Sequence, residues 1–402
     1  MSNVVLPVGF QTSGVACGVR GDVGRLDLAL FMSDRPAVTV GVFTQNLVCG
    51  APVKVCRQRV PRATGRAVVI NSGNANAATG DRGIEDAQRM TSVVAQSLGC
   101  AADDVFVCST GVIGRFLPMD KLEAGIPQVA ASLASTPAAF ELAARAIMTT
   151  DTVPKQATRS AELCGSNGTR TVRISGACKG AAMIAPNMAT MLCVIMTDAE
   201  LTPTDADNAL RQAVNQSFNC ISVEGHTSTS DTVLLLANGA ADTGPLDADS
   251  RVTLQTMLDE VATELSTAII RDAEGATHFI TLDVIGARTR DEAFRIAKTI
   301  ADSPLVKTAI HGADPNWGRI VSAAGYAGVP MREEDMSLRI NNLDVYRDGA
   351  PLPFDPKTVS DSIRNNRDTH IELTLKLGTA HIRYWTADLT AEYVRLNADY
   401  TT

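Results

Sequence analysis

A threonine hydroxyl at the start of a buried strand is the group in this 402-residue chain whose surroundings suit a nucleophile. The stretch from Lys179 to Thr197 has two halves. The second, Met191 to Met196, is an unbroken apolar run without charge and predicts a buried strand. The first is a loop of small residues broken by Pro186 and Asn187. Thr190 lies at their junction, where a sheet edge would hold it and small neighbours leave room for a ligand. Taken alone, such a threonine is more often the plain first residue of a core strand. A second apolar run, Val105 to Cys108, ends in Ser109-Thr110-Gly111. A hydroxyl and a backbone N–H beyond a sheet edge are the two donor types that stabilise an oxyanion, and glycine lets a carbonyl approach closely. A threonine hydroxyl is weak without a base. An N-terminal threonine supplies its own, because an α-amine titrates near neutrality and an amide nitrogen does not.

Lys179-Gly180, Met183-Ile184, Pro186-Asn187 and Met188-Ala189-Thr190-Met191-Leu192 resemble the signature of the ornithine acetyltransferase (glutamate N-acetyltransferase) family. The likeness continues, in order, through 71–77 (Asn-Ser-Gly-Asn-Ala-Asn-Ala), 109–114, 148–152, 304–309, 314–319 and Tyr393-Val394-Arg395-Leu396-Asn397, so it covers essentially the whole chain. It implies self-cleavage between Ala189 and Thr190, which frees the Thr190 amine. The expected reaction is ping-pong acetyl transfer from N-acetylornithine to glutamate through acetyl-Thr190. The family's oxyanion pair falls on Thr110 and Gly111, and its substrate-binding positions fall on Thr149, Lys179, Thr190, Glu274, Asn397 and Thr402. The implied architecture is α/β (α+β), a layered α/β/β/α sandwich of the N-terminal-nucleophile type with a smaller C-terminal α+β domain. The two fragments of one chain would assemble as an α2β2 heterotetramer, and no cofactor is implied.

Two departures bear on the acceptor. The family block Asp-Gly-Asp-Thr-Ser-Thr-Asn-Asp-Thr reads Glu224-Gly225-His226-Thr227-Ser228-Thr229-Ser230-Asp231-Thr232 here. The chain also ends Tyr400-Thr401-Thr402, where the family commonly has Arg before the last residue. That exchange removes a planar cation. Two other readings stand beside the transferase. One is an N-terminal-nucleophile aminopeptidase or amidase, in which water resolves the acyl-enzyme. The other is a metabolite-binding protein that never cleaves.

Bulk properties agree with a small polar substrate. A net charge of −8 and a pI near 5.2 argue against nucleic acid or an anionic membrane as partner. No run reaches the roughly 18 apolar residues of a membrane span. Nine cysteines without a Cys-x-x-Cys pair suit reduced thiols in the cytoplasm. The five histidines lack zinc spacing, and neither a Walker loop nor a dinucleotide-binding glycine motif follows a strand.

The elements that must position these groups are read from periodicity. Strands are expected at 37–43, 67–70, 105–108 and 233–237, and helices at 84–98, 201–218 and 254–269. Asn71 to Asn76 reads as an amide-rich turn. Beyond about residue 283 the pattern changes: a helix at 292–300, a Trp-bearing loop at 314–319, and strands near 336–346, 370–376 and 379–386. Residues 1–283 are thus expected to form the nucleophile-bearing domain and 284–402 a smaller one that returns its end to the site.

Overall fold

Alternating apolar runs and helical periods fold into two separate β-sheets in the computed structural model, which describes residues 4–21, 24–184 and 191–399. The strands are β1 (Phe10–Val15), β2 (Leu28–Phe43), β3 (Arg62–Asn74), β4 (Val105–Val112), β5 (Lys155–Gly165), β6 (Gly168–Lys179) and β7 (Leu192–Thr197). They continue as β8 (Ile221–Ser222), β9 (Thr232–Ala237), β10 (Phe279–Ala287), β11 (Met336–Ile340), β12 (Leu343–Arg347), β13 (Ala350–Pro351), β14 (Asp368–Leu375) and β15 (Ala380–Ala387). The helices are α1 (Ala51–Arg59), α2 (Gly80–Leu98), α3 (Met119–Ala131), α4 (Pro137–Ala146), α5 (Pro203–Gln216) and α6 (Ala248–Arg271). After them come α7 (Arg290–Ala301), α8 (Pro304–His311), α9 (Trp317–Gly325), α10 (Pro356–Arg364) and α11 (Ala391–Asp399).

The first sheet has the order β4-β3-β2-β9-β7-β6-β5, with β1 added on β2. β7 and β9 are apolar on both faces and fully buried, and they occupy its middle, parallel to each other. β6 lies antiparallel to β7 with Lys179 opposite Leu192. The second sheet runs β13-β12-β11-β14-β10-β15-β8. α6 packs on β5 and β6 of the first sheet and on β8 and β15 of the second, so one hydrophobic core is continuous from sheet to sheet. Ile195, Leu235, Leu265 and Leu282 lie within it, each worth about 1.5–3 kcal/mol of burial. A second core joins the other face of the first sheet to α2, α3 and α4. The α/β class expected from the sequence is the class observed.

Local signals explain most boundaries. α5 starts where Thr202 Oγ1 accepts the Asp205 N–H, and α6 where Asp247 accepts that of Ser250. α2 stops at Gly99, whose φ of +66° is left-handed. Other expectations need correction. β2 begins at Leu28 rather than residue 37, and the Trp-bearing loop already enters α9 at Trp317. The amide-rich stretch does not turn at 71: β3 continues through Asn74, paired in parallel with β4. The expected domain boundary at 283 falls inside β10, and β8, from the earlier part, joins the second sheet. Among the described residues no helix is long and apolar enough to cross a membrane.

Candidate active site

The parallel pair β3 and β4 builds one wall of the site. Ser72 lies opposite Thr110 and Gly73 opposite Gly111. A Cβ on Gly111 would come within 2.3 Å of the Gly73 carbonyl carbon, and its φ is +129°, so the position admits only glycine. The amides that follow are internal ties. Asn71 Nδ2 donates to the Asn74 carbonyl at 2.9 Å, Ser109 Oγ to Asn71 Oδ1 at 2.5 Å, and Asn76 Nδ2 to the Gly83 carbonyl at 2.8 Å.

Lys179 ends β6 and is buried, and its Nζ donates to Thr110 Oγ1 at 3.1 Å. An oxygen that accepts from an ammonium must direct its own hydrogen elsewhere. The Thr110 hydroxyl therefore remains a donor, as an oxyanion site requires. Burial lowers the pKa of Lys179, and Lys155 and Arg20 add to the effect while Asp151 opposes it.

Asp151 is the hub beneath this wall. Its carboxylate accepts from Lys155 Nζ and the Gly180 N–H, both at 2.7 Å, and from the Thr149 N–H at 2.9 Å. Burial favours its protonated form, yet Lys155, Lys179 and the Gly180 N–H outweigh burial and hold it at about 2. Lys155 completes the network by donating to Asp272 at 2.6 Å. Thr149 is thereby fixed from its own N–H, and its carbonyl accepts from Arg25 at 2.6 Å.

These groups open onto a cavity of about 860 Å³. Six of the expected residues line it together: Thr110, Gly111, Thr149, Lys179, Glu274 and Asn397. Asn397, on α11, donates to Glu274 Oε2 at 3.0 Å, which ties the last helix to the cavity rim. Ala189, Thr190 and Thr402 lie outside the described residues. The cavity also has polar side chains beyond these six. Arg20, Arg25 and Arg115 line it, as do Glu224, His226 and Tyr393. Burial, with the charges of Glu224 and Glu274, pushes the Tyr393 phenol up to about 12. The cavity therefore has cations near Thr149 and carboxyl groups near α11, a distribution suited to an amino acid with charged ends. No group of three or more metal-ligating side chains occurs among the described residues.

The ArgJ family model matches residues 11–402. The chain belongs to the ArgJ family. Among full-length relatives, it is 45% identical over 401 residues to the arginine biosynthesis bifunctional protein ArgJ of Rhodopirellula baltica, covering 99% of this chain and 97% of that one. It is 47% identical over 401 residues to the ArgJ protein of Parasynechococcus marenigrum, covering 99% and 95%. A crystal structure of the Bacillus halodurans ArgJ protein matches at 35% identity with a TM-score of 0.50. That match covers 52% of this chain and 98% of the solved one, so the solved ArgJ chain is about half as long as the chain described here.

Proposed function

We propose that this ArgJ-family chain is a glutamate N-acetyltransferase that moves an acetyl group from N-acetylornithine to glutamate in arginine biosynthesis. The observation that carries this reading is the convergence of Thr110, Gly111, Thr149, Lys179, Glu274 and Asn397 on one cavity in a chain of this family. Each residue keeps the role expected from the resemblance, and Ala189, Thr190 and Thr402 complete the site.

Maturation comes first. The Thr190 hydroxyl attacks the Ala189 carbonyl, and water then cleaves the resulting ester, leaving a free α-amine on Thr190. In turnover that amine takes the hydroxyl proton as the oxygen attacks the acetyl carbonyl of N-acetylornithine. The Thr110 hydroxyl and the Gly111 N–H hold the oxyanion, and ornithine leaves with the proton. The amine of glutamate then attacks acetyl-Thr190, acetylglutamate departs, and the hydroxyl is restored. Thr149 and Lys179 bind on the cationic side of the cavity, Glu274 and Asn397 on the other, and Thr402 is a further substrate-binding residue. The half-length of the solved ArgJ chain is consistent with a chain that is cut.

The fragments stay together in an α2β2 heterotetramer, and the protein works in the cytoplasm, in keeping with cysteines that are all unpaired. We retain the division into a nucleophile-bearing unit and a C-terminal unit, with their junction moved ahead of β10. The test is denaturing electrophoresis of purified protein, where fragments of roughly 20 and 22 kDa are expected for 189 and 213 residues. Thr190→Ala should stay at 42.4 kDa. An active wild-type enzyme that runs as one band would overturn the mechanism. Acetate released in place of acetylglutamate would transfer the reading to the hydrolase.

A further inference from the structure

Two carboxyl groups, Asp231 fully buried and Glu224 partly buried at the cavity wall, stand at the two ends of the segment that contains the proposed scissile bond. Before it, the Ile184 N–H donates to Glu224 Oε1 at 2.7 Å, and the Ile184 carbonyl accepts from the Val223 N–H at 2.7 Å. After it, the Met191 N–H donates to Asp231 Oδ1 at 3.0 Å, and the Met191 carbonyl accepts from the Thr232 N–H at 3.0 Å. Both backbone groups of each flanking residue are thus taken, and one stretch, 223–232, takes all four. Ile184 and Met191 are themselves buried. Met183, immediately before the first anchor, has φ +58°, a conformation that a methionine adopts only when its surroundings enforce it.

The same two acids share a second peculiarity. Glu224 Oε2 and Asp231 Oδ2 are closed off from solvent, and the Thr44 and Ser228 hydroxyls stand beside the Asp231 carboxylate.

We propose that Glu224 and Asp231 are positioning residues for self-cleavage, which together fix Ile184 and Met191, the described residues on either side of the proposed cut. The inference rests on the cleavage reading above. It deepens that reading by naming what sets the distance between the ends. The acceptor oxygen, rather than a charge, performs the task. Burial, opposed by the Ile184 and Met183 N–H groups and Lys307, brings Glu224 to about 7, and burial raises Asp231 well above its usual value against the Met191 N–H, Lys179 and the Thr44 and Ser228 hydroxyls. Tyr393 is the other titrating group that faces Glu224. An amide oxygen can replace a carboxyl oxygen in such a role.

The experiment follows cutting of the full-length chain after pulse labelling in cell-free translation, by denaturing electrophoresis against time. Glu224→Ala and Asp231→Ala should each slow cutting by about tenfold or more, the effect of losing a buried hydrogen bond to the backbone. Glu224→Gln and Asp231→Asn should stay within about threefold of wild type, a rescue that loss of folding would not give. Circular dichroism confirms that the compared chains are folded. Should an alanine chain fail to fold, Asp231→Glu takes its place: it keeps the acid, displaces the oxygen by one methylene, and should cut as slowly. Alanine or Asp231→Glu chains that are folded and cut at the wild-type rate would overturn the inference alone. So would folded amide variants that stall. A wild-type chain that never cuts would overturn the cleavage reading, and the inference with it.

Discussion

Thr110 shows how a single side chain can be legible in a sequence while its neighbours are not. Its hydroxyl accepts from Lys179 and so keeps its hydrogen for a third partner. Thr110→Ala should therefore lower the rate constant of acetyl transfer by about 10²–10³, with little change in thermal stability, as measured by steady-state kinetics beside a melting curve. Thr110, Gly111 and Lys179 were readable because each belongs to a contiguous motif whose spacing survives in the linear chain. Asp151 was not, although it sits in the stretch 148–152. Its importance comes from Lys155, Gly180 and Thr149 meeting on one carboxylate, and no local pattern records that meeting. Glu224 and Asp231 were visible as part of a divergent block, but their bonds to the Ile184 and Met191 N–H groups are properties of the folded chain.

Among the elements, long apolar periods were the dependable guide, and β3 shows where they fail. Asn and Gly disfavour strands, so 71–74 reads as a turn. Parallel pairing with β4 supplies the hydrogen bonds that local propensity does not, and the strand continues to Asn74. That extension brings Gly73 against Gly111. Gly111→Ala should force the two strands apart, since its Cβ would lie 2.3 Å from Gly73 backbone and strain a φ of +129°. The expected result is a loss of acetyl transfer of at least about 10²-fold together with a lower melting temperature, whereas Thr110→Ala loses only the first. α11 was missed for the opposite reason. None of its residues is buried, so it has no apolar stripe to read, yet it carries Tyr393 and Asn397 to the cavity.

At the scale of the molecule, the continuous core across α6 joins two sheets that the sequence suggested as separate units. A cluster near that junction makes the fold sensitive to pH. Asp388 accepts from the His278 N–H at 2.8 Å and lies 3.3 Å from its Nδ1, while Thr277 and His311 contact the same carboxylate. The Asp388 hydrogen bond raises the pKa of His278 above 6.5, with burial and the Arg367 charge opposing it. The folded chain then holds that proton more tightly than the unfolded chain. The stabilisation is complete below pH 6.5 and is lost as pH climbs through the folded value. The stability deficit of His278→Gln, measured by urea unfolding, should accordingly be largest at pH 5–6 and shrink by pH 8. The sheet order carries a different consequence. β7 and β9 follow the proposed scissile bond, and they are wedged between β2 and β6, which precede it. The cut proposed at Thr190 would turn a unimolecular folding problem into a second-order one. A chain so cut, once unfolded and diluted, would have to reassemble by collision, with a gap of two strands to refill. Its working lifetime is then governed by an unfolding rate rather than an equilibrium, and recovery after denaturation should rise with protein concentration.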